Sequence, residues 1–90
     1  MPTVRWTQRA QRELVRIQAY IKGFAPMACE RFTERLIAAA ESLAVNPLRG
    51  RPISGGRHEL LVVSPYRIRY RLRGDAVEIL SIWHGRRSGG

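Results

Sequence analysis

The sequence predicts an α+β fold, with a small antiparallel β-sheet in the order β-α-α-β-β-β and a helical hairpin packed on one face. Three observations support it: apolar residues recur at helical spacing in two early segments, three later segments alternate as strands do, and the turns between those strands are tight. Ninety residues suffice for one modest core but not for two. We therefore expect one domain spanning residues 1–90.

The first strand and the first helix are predicted within residues 3–24. The stretch 3–7, "TVRWT", alternates apolar and polar residues with the period of a short strand. Thr7 is a suitable N-cap for a helix that begins at Gln8, and Gly23 is a suitable stop. The apolar face of this helix comprises Leu14, Ile17, Ile21 and Phe24.

A second helix is predicted from about Pro26 to the pair Asn46-Pro47. Proline is tolerated in a first helical turn, where its missing N–H has no partner, and it disfavours helix in the residue before it. The run "LIAAAESLA" between them is strongly helix-forming. The buried stripe comprises Cys29, Phe32, Leu36, Ala39, Ala40 and Leu43. Because few residues join the two helices, we expect an antiparallel hairpin.

A loop at residues 46–56 precedes three strands. The loop holds two prolines and three glycines, and it is expected to be a rigid connector from helix to sheet. Short separators at 64–65, "SP", and at 74–75, "GD", predict an antiparallel meander. The strands are "RHELLVV" (57–63), "YRIRYRLR" (66–73) and "VEILSIWH" (77–84).

The strand 66–73 has two unlike faces. Since strand side chains alternate sides, its apolar residues should lie against the helices, namely Tyr66, Ile68, Tyr70 and Leu72. The opposite side then carries an arginine row, which consists of Arg67, Arg69, Arg71 and Arg73. Like charges along one strand face repel, so an anionic partner is expected for this row.

Charge and cysteine content narrow the function classes. The chain carries 16 Lys plus Arg against 7 Asp plus Glu, a net charge of +9, which favours polyanionic partners. Its one cysteine, Cys29, excludes an internal disulfide and a multi-cysteine zinc site, and we expect neither a metal nor a cofactor. No apolar run is long enough for a signal peptide or a bilayer span, so a cytoplasmic location is expected.

Four stretches, taken in order, resemble the RelE/ParE superfamily of type II toxin–antitoxin toxins. They are "VRWTQRAQRELVRIQAYI", "NPLRGRPI", "RHELLVVSPYRIRYRL" and a closing "VEILSIWHGRR". The resemblance implies a small sheet with a helical hairpin on one face. It also implies a cognate antitoxin with a DNA-binding N-terminus and an acidic C-terminal segment that wraps the toxin. RelE-like members cleave mRNA in the ribosomal A site, whereas ParE-like members poison DNA gyrase.

The resemblance suggests two catalytic residues if the chain is RelE-like. Arg67 occupies the position of a strand arginine that contacts the scissile phosphate, and it would stabilise the phosphorane. His84, at the end of the last strand, is the natural acid or base near neutral pH and can project over the open face. The alternatives are that Arg67 positions the antitoxin or stabilises the sheet, and that His84 is structural or contacts gyrase.

The ParE-like branch is favoured by what the RelE-like pattern lacks here. RelE-like nucleases carry a tyrosine and further basic residues after the last strand, and only "GRRSGG" follows His84. The lysine pair before the third strand is also missing, because Lys22 is the only lysine. RelE-like mRNA cleavage and a non-toxic basic nucleic-acid-binding module remain the alternatives.

The remaining candidate contacts concern binding. Arg86 and Arg87 would join the arginine row in contacting the antitoxin, nucleic acid or an acidic patch on gyrase. Val15 and Ile37 lie off the main helical stripes and are candidates for a groove that receives an antitoxin helix.

Overall fold

A computed structural model describes residues 2–85 of the chain. Its elements are β1 (Thr3–Trp6), α1 (Gln8–Lys22), α2 (Pro26–Ser42), β2 (Arg51–Ile53), a 3₁₀ turn (Ser54–Gly56), β3 (Arg57–Val63), β4 (Tyr66–Arg73) and β5 (Ala76–His84). The predicted α+β class and the helical hairpin are therefore confirmed, as are the three later strands.

The five strands form one sheet in the order β1-β5-β4-β3-β2, and this sheet is mixed, whereas the sequence predicted an antiparallel one. β1 pairs in parallel with β5, while the other neighbours are antiparallel. A parallel pair requires a long crossover, which the two helices provide. Pairing between strands this far apart in the chain is set by tertiary packing, and the local sequence gives no sign of it.

β2 lies inside the segment predicted to be a loop. It is three residues long, contains Pro52, and is recognisable only through its antiparallel pairing with Arg57–Glu59 of β3. Proline is accepted there because β2 is an edge strand, where one N–H is not needed for the ladder. The loop before β2 is tied to the sheet by Tyr70, whose hydroxyl donates to the Pro47 carbonyl and accepts from the Gly50 amide, at 2.8 Å each.

Both ends of α1 are as predicted. The Thr7 side chain accepts a hydrogen bond from the Ala10 amide, which caps the helix, and its hydroxyl donates to the Ile79 carbonyl of β5 at 2.8 Å. Gly23 is the C-cap. Thr7 therefore fixes the start of α1 against the sheet as well as capping it.

The core lies between the helical hairpin and one face of the sheet. Its fully buried side chains are Leu36, Leu43, Ile68, Tyr70, Val77 and Ile79. Of the four residues predicted to face the helices, Leu72 is 41% exposed. Among the helices within residues 2–85, none has the length and apolarity needed to cross a bilayer.

Candidate functional site: the open face of the sheet

The face of the sheet that the helices leave uncovered, called the open face below, is rich in arginine. Residues directly opposite on neighbouring strands share a face, so the strand register identifies its members. They include Arg5, Arg51, Arg57, Arg67, Arg69, Arg71 and Arg73. Within residues 2–85, the same register places two carboxylates there, Glu59 and Glu78. The open face therefore keeps a large excess of positive charge.

Glu59 is the centre of the larger charge cluster. Its side chain is 3% exposed and contacts three arginines. Oε1 accepts from Arg51 and from Arg67, both at 3.2 Å, and Oε2 accepts from Nε of Arg69 at 3.0 Å. A carboxylate this buried is tolerated only because its lone pairs are satisfied by charged donors.

The environment of Glu59 keeps it ionised. Burial acts to raise its pKa, but hydrogen bonds from Arg69 and Arg51 and the positive charge of Arg67 together lower the pKa below the ordinary value of 4.5. A carboxylate with a lowered pKa is a weak proton acceptor at neutral pH. Glu59 is thus suited to holding arginines in place and poorly suited to general base catalysis.

Glu78 forms a smaller cluster on β5, which β4 separates from the strand of Glu59. Its Oε1 accepts from Nε of Arg71 at 2.8 Å, and its Oε2 lies 3.9 Å from Nη1 of Arg5. The hydrogen bond from Arg71 and the nearby positive charges outweigh partial burial and lower the pKa of Glu78. Three members of the arginine row therefore have an internal counterion, while Arg73 has no carboxylate within 4.0 Å among residues 2–85.

Neither glutamate was predicted from the sequence to belong to the site. Each is a single carboxylate inside an apolar strand, in "HELLVV" and in "VEILS", and each falls on the same face as the arginine row. A single acidic residue within an apolar strand was the sequence signal that could have identified each glutamate. Their arginine partners could not be assigned without the strand register.

Arg67 is held closely at the end of the open face. Trp83 lies directly opposite it on β5, and Gly85 approaches its Nε so closely that a Cβ on Gly85 would lie 3.0 Å from that atom. The Nε of Arg67 is buried without a hydrogen-bond partner in the part of the chain described. The guanidinium of Arg69 stacks on the Trp83 ring at 4.0 Å, a cation–π contact. Arg67 and Arg69 are thus ordered side chains.

His84 does not project over the open face, which corrects the sequence prediction. It lies opposite Tyr66, and the two rings make an edge contact at 5.0 Å. Tyr66 in turn contacts Phe32 of α2, so this pair lies on the helix-covered side. There His84 lines a cleft of about 220 Å³ with Glu13 and Arg16 among its neighbours. The structure therefore places His84 and Arg67 on opposite faces of the sheet.

The other predicted contact residues are distributed as follows. Val15 and Ile37 are 63% and 43% exposed on the helical hairpin. Arg86 and Arg87 lie outside the described residues. His58 and Glu59 point to opposite faces, as expected for neighbours on a strand, and His58 stacks on Tyr70 on the helix side.

Comparison with known proteins identifies close relatives. Residues 4–89 match the family described as ParE toxin of type II toxin-antitoxin system, parDE. The chain is 45% identical to Toxin RelE2 of Caulobacter vibrioides, over 97% of this chain and 99% of that protein. It is 43% identical to the putative toxin Y4kP of Sinorhizobium fredii, over 90% of this chain and 85% of that protein.

A solved structure shares the fold. It is described as a chromosomal ParDE TA system from P. aeruginosa and matches with a TM-score of 0.82 at 22% identity, covering 93% of this chain and 96% of that one. At this identity the match concerns the fold alone. It agrees with the two helices and the five-stranded mixed sheet.

Proposed function

The chain belongs to the ParE toxin family of type II toxin–antitoxin systems, and from this premise we propose that it inhibits DNA gyrase by binding and does not cleave RNA. As a type II toxin it has a cognate antitoxin partner. In this proposal residues 1–90 form one toxin domain that acts in the cytoplasm, where gyrase and chromosomal DNA are found.

The observation that carries the proposal is the separation of Arg67 from His84. Cleavage of RNA through its 2′-hydroxyl requires a base, a cation at the phosphate and an acid, all within reach of one phosphodiester. Arg67 lies on the open face and His84 lies on the helix side of the sheet. This placement on opposite faces disfavours joint action of the two residues on one phosphate.

The carboxylate nearest to Arg67 does not replace the missing base. Glu59 lies 3.2 Å from Arg67, but its lowered pKa and its two further arginine partners make it a poor proton acceptor. This environment favours a face that binds an anionic or acidic surface over one that performs acid–base chemistry.

For the resting complex, we propose that the antitoxin's acidic segment lies along the arginine row and that its helix covers Val15 and Ile37. Glu59 and Glu78 neutralise only part of the open face, so guanidinium N–H groups remain for carboxylates. Replacing Arg71 and Arg73 by glutamate should weaken capture of the co-expressed antitoxin. The same change at Lys22 and Arg31, exposed residues of the helices that lie away from the row, serves as the control.

The proposed target is tested with purified toxin in two parallel assays. Added to gyrase, it should inhibit supercoiling or trap cleaved DNA; added to translating ribosomes, it should leave mRNA intact by primer extension. Cut A-site codons with normal supercoiling would establish the alternative, ribosome-dependent mRNA cleavage of the RelE type. Arg67→Ala and His84→Ala distinguish the mechanisms further, because a ribonuclease using both would lose activity with either.

A further inference from the structure

A second feature of the open face lies beside the arginine row, where α1 begins. A cleft of about 390 Å³ is lined there by Thr7, Arg9, Arg57, Arg69, Leu80 and Ser81. Leu80 is the extra residue of a bulge, since Arg69 pairs with Ser81 and Tyr70 with Ile79. The bulge and the start of α1 bring together arginines from α1, β3 and β4.

The three arginines of this cleft are anchored through their Nε atoms. Nε of Arg9 donates to Glu13 at 3.4 Å, Nε of Arg57 donates to the Ser54 carbonyl at 3.0 Å, and Nε of Arg69 donates to Glu59. Nη2 of Arg57 also donates to Ser54 Oγ, at 3.4 Å. The other terminal guanidinium N–H groups of these arginines are left for a ligand, and the anchoring reduces the entropy lost when the ligand binds.

Two arginines of the cleft occupy positions that are unfavourable for the stability of the fold. Arg9 lies in the first turn of α1, which contains no acidic residue, although the positive end of the helix dipole favours acids there. Arg57 lies directly opposite Arg71, a like-charge pair across two strands. Exceptions of this kind to local preference are expected where a site serves binding.

Ser81 adds a buried polar group to the cleft. It is 6% exposed and lines the cleft. Its hydroxyl can donate a hydrogen bond to a ligand oxygen. With the three guanidinium groups, it makes a set of donors suited to a tetrahedral oxyanion.

We propose that this cleft binds a phosphodiester of a nucleic acid strand. Within residues 2–85 no carboxylate lines the cleft, and the positive charge continues along the open face to Arg71 and Arg5, so successive phosphates of one strand meet further guanidinium groups. An isolated carboxylate on a peptide would need only one of these arginines. The inference goes beyond the proposed action on gyrase and does not depend on the identity of the target.

The test is fluorescence anisotropy with the full-length toxin and a labelled 20-base-pair DNA duplex over a series of salt concentrations. The double variant Arg9→Gln with Arg57→Gln is compared with Arg12→Gln with Arg31→Gln, which removes the same charge from exposed positions on the helices. We expect about tenfold weaker binding for the first, and a slope of log K against log salt smaller by about 2. Circular dichroism and urea unfolding establish that both variants fold.

Two results would overturn the inference. One is an equal loss of affinity in the two double variants, which would mean that net charge alone attracts DNA. The other is equally tight and equally arginine-dependent binding of a polyglutamate peptide, which would assign the cleft to an acidic protein. Ser81→Ala should weaken DNA binding by a few fold without changing the salt slope, because it removes a donor and no charge.

Discussion

The two faces of β4 are ordered by different forces. On the helix side, Ile68 and Tyr70 have no exposed surface and are held by burial against α1 and α2. On the open side, Arg67 and Arg69 keep about a quarter to a third of their side-chain surface exposed and are held by Glu59. Burial is non-directional and insensitive to salt, whereas the charge cluster depends on geometry and on ionisation.

This difference shows how one strand can serve stability and binding at once. The helix face tolerates little change in volume, because core side chains are close-packed. The open face has more guanidinium groups than carboxylates, so it is stable without a partner and still attracts one.

Truncation on the helix face should have the largest effect. Ile68→Ala removes a fully buried side chain, and we expect the free energy of unfolding to fall by about 3 kcal/mol in urea titrations. The loss should be the same at 0.1 and 1 M salt. Leu72→Ala, on the same face but 41% exposed, is the matched control and should cost much less. Equal losses would mean that the helix face is not packed as described.

Neutralising Glu59, at the centre of the open face, should have the second-largest effect on stability. Glu59→Gln leaves three arginines without their counterion, and we expect a loss of about 2 kcal/mol at low salt. Because salt screens the remaining repulsion, the loss should shrink at 1 M salt, unlike that of Ile68→Ala. Glu30→Gln, at an exposed position of α2, provides the control. A loss independent of salt would argue against the charge cluster.

Tyr70 connects the helix face of β4 to the loop before β2. Tyr70→Phe keeps the ring but removes the hydrogen bonds to the Gly50 amide and the Pro47 carbonyl, and it should cost about 1–2 kcal/mol. Hydrogen exchange at the Gly50 amide should accelerate more than exchange in the centre of β4. Unchanged protection at Gly50 would show that the loop is held by other contacts.

The smallest expected effect is a change of the unfolding free energy with pH, which arises from the carboxylates of the open face. The pKa values of Glu59 and Glu78 are lowered by folding, so their stabilisation is fully present above their unfolded value near 4.5 and is lost as pH falls through the folded values. Urea unfolding between pH 7 and pH 3 should show this loss. It should be smaller in the double variant Glu59→Gln with Glu78→Gln and unchanged in Ile68→Ala.

Much of the fold could be predicted because it depends on local patterns. The N-cap at Thr7, the stop at Gly23, and the alternation in 66–73 each act within a few residues, and each is seen in the structure. The family could be assigned for the same reason, since the stretches that resemble it follow one another along the chain and the family match covers residues 4–89. The short strand β2 was missed because three residues with one proline carry no periodicity.

The sequence was sufficient to predict the α+β class, the order of the helices and of the strands other than β2, the arginine row and the toxin family. Only the tertiary structure decided that β1 joins β5 in parallel, that Glu59 and Glu78 neutralise part of the row, and that His84 faces the helices, away from Arg67. The physical reason is that periodicity and capping act between neighbours in the chain. Strand order, register and sheet face depend on which distant segments pack together, and that is settled by the fold as a whole.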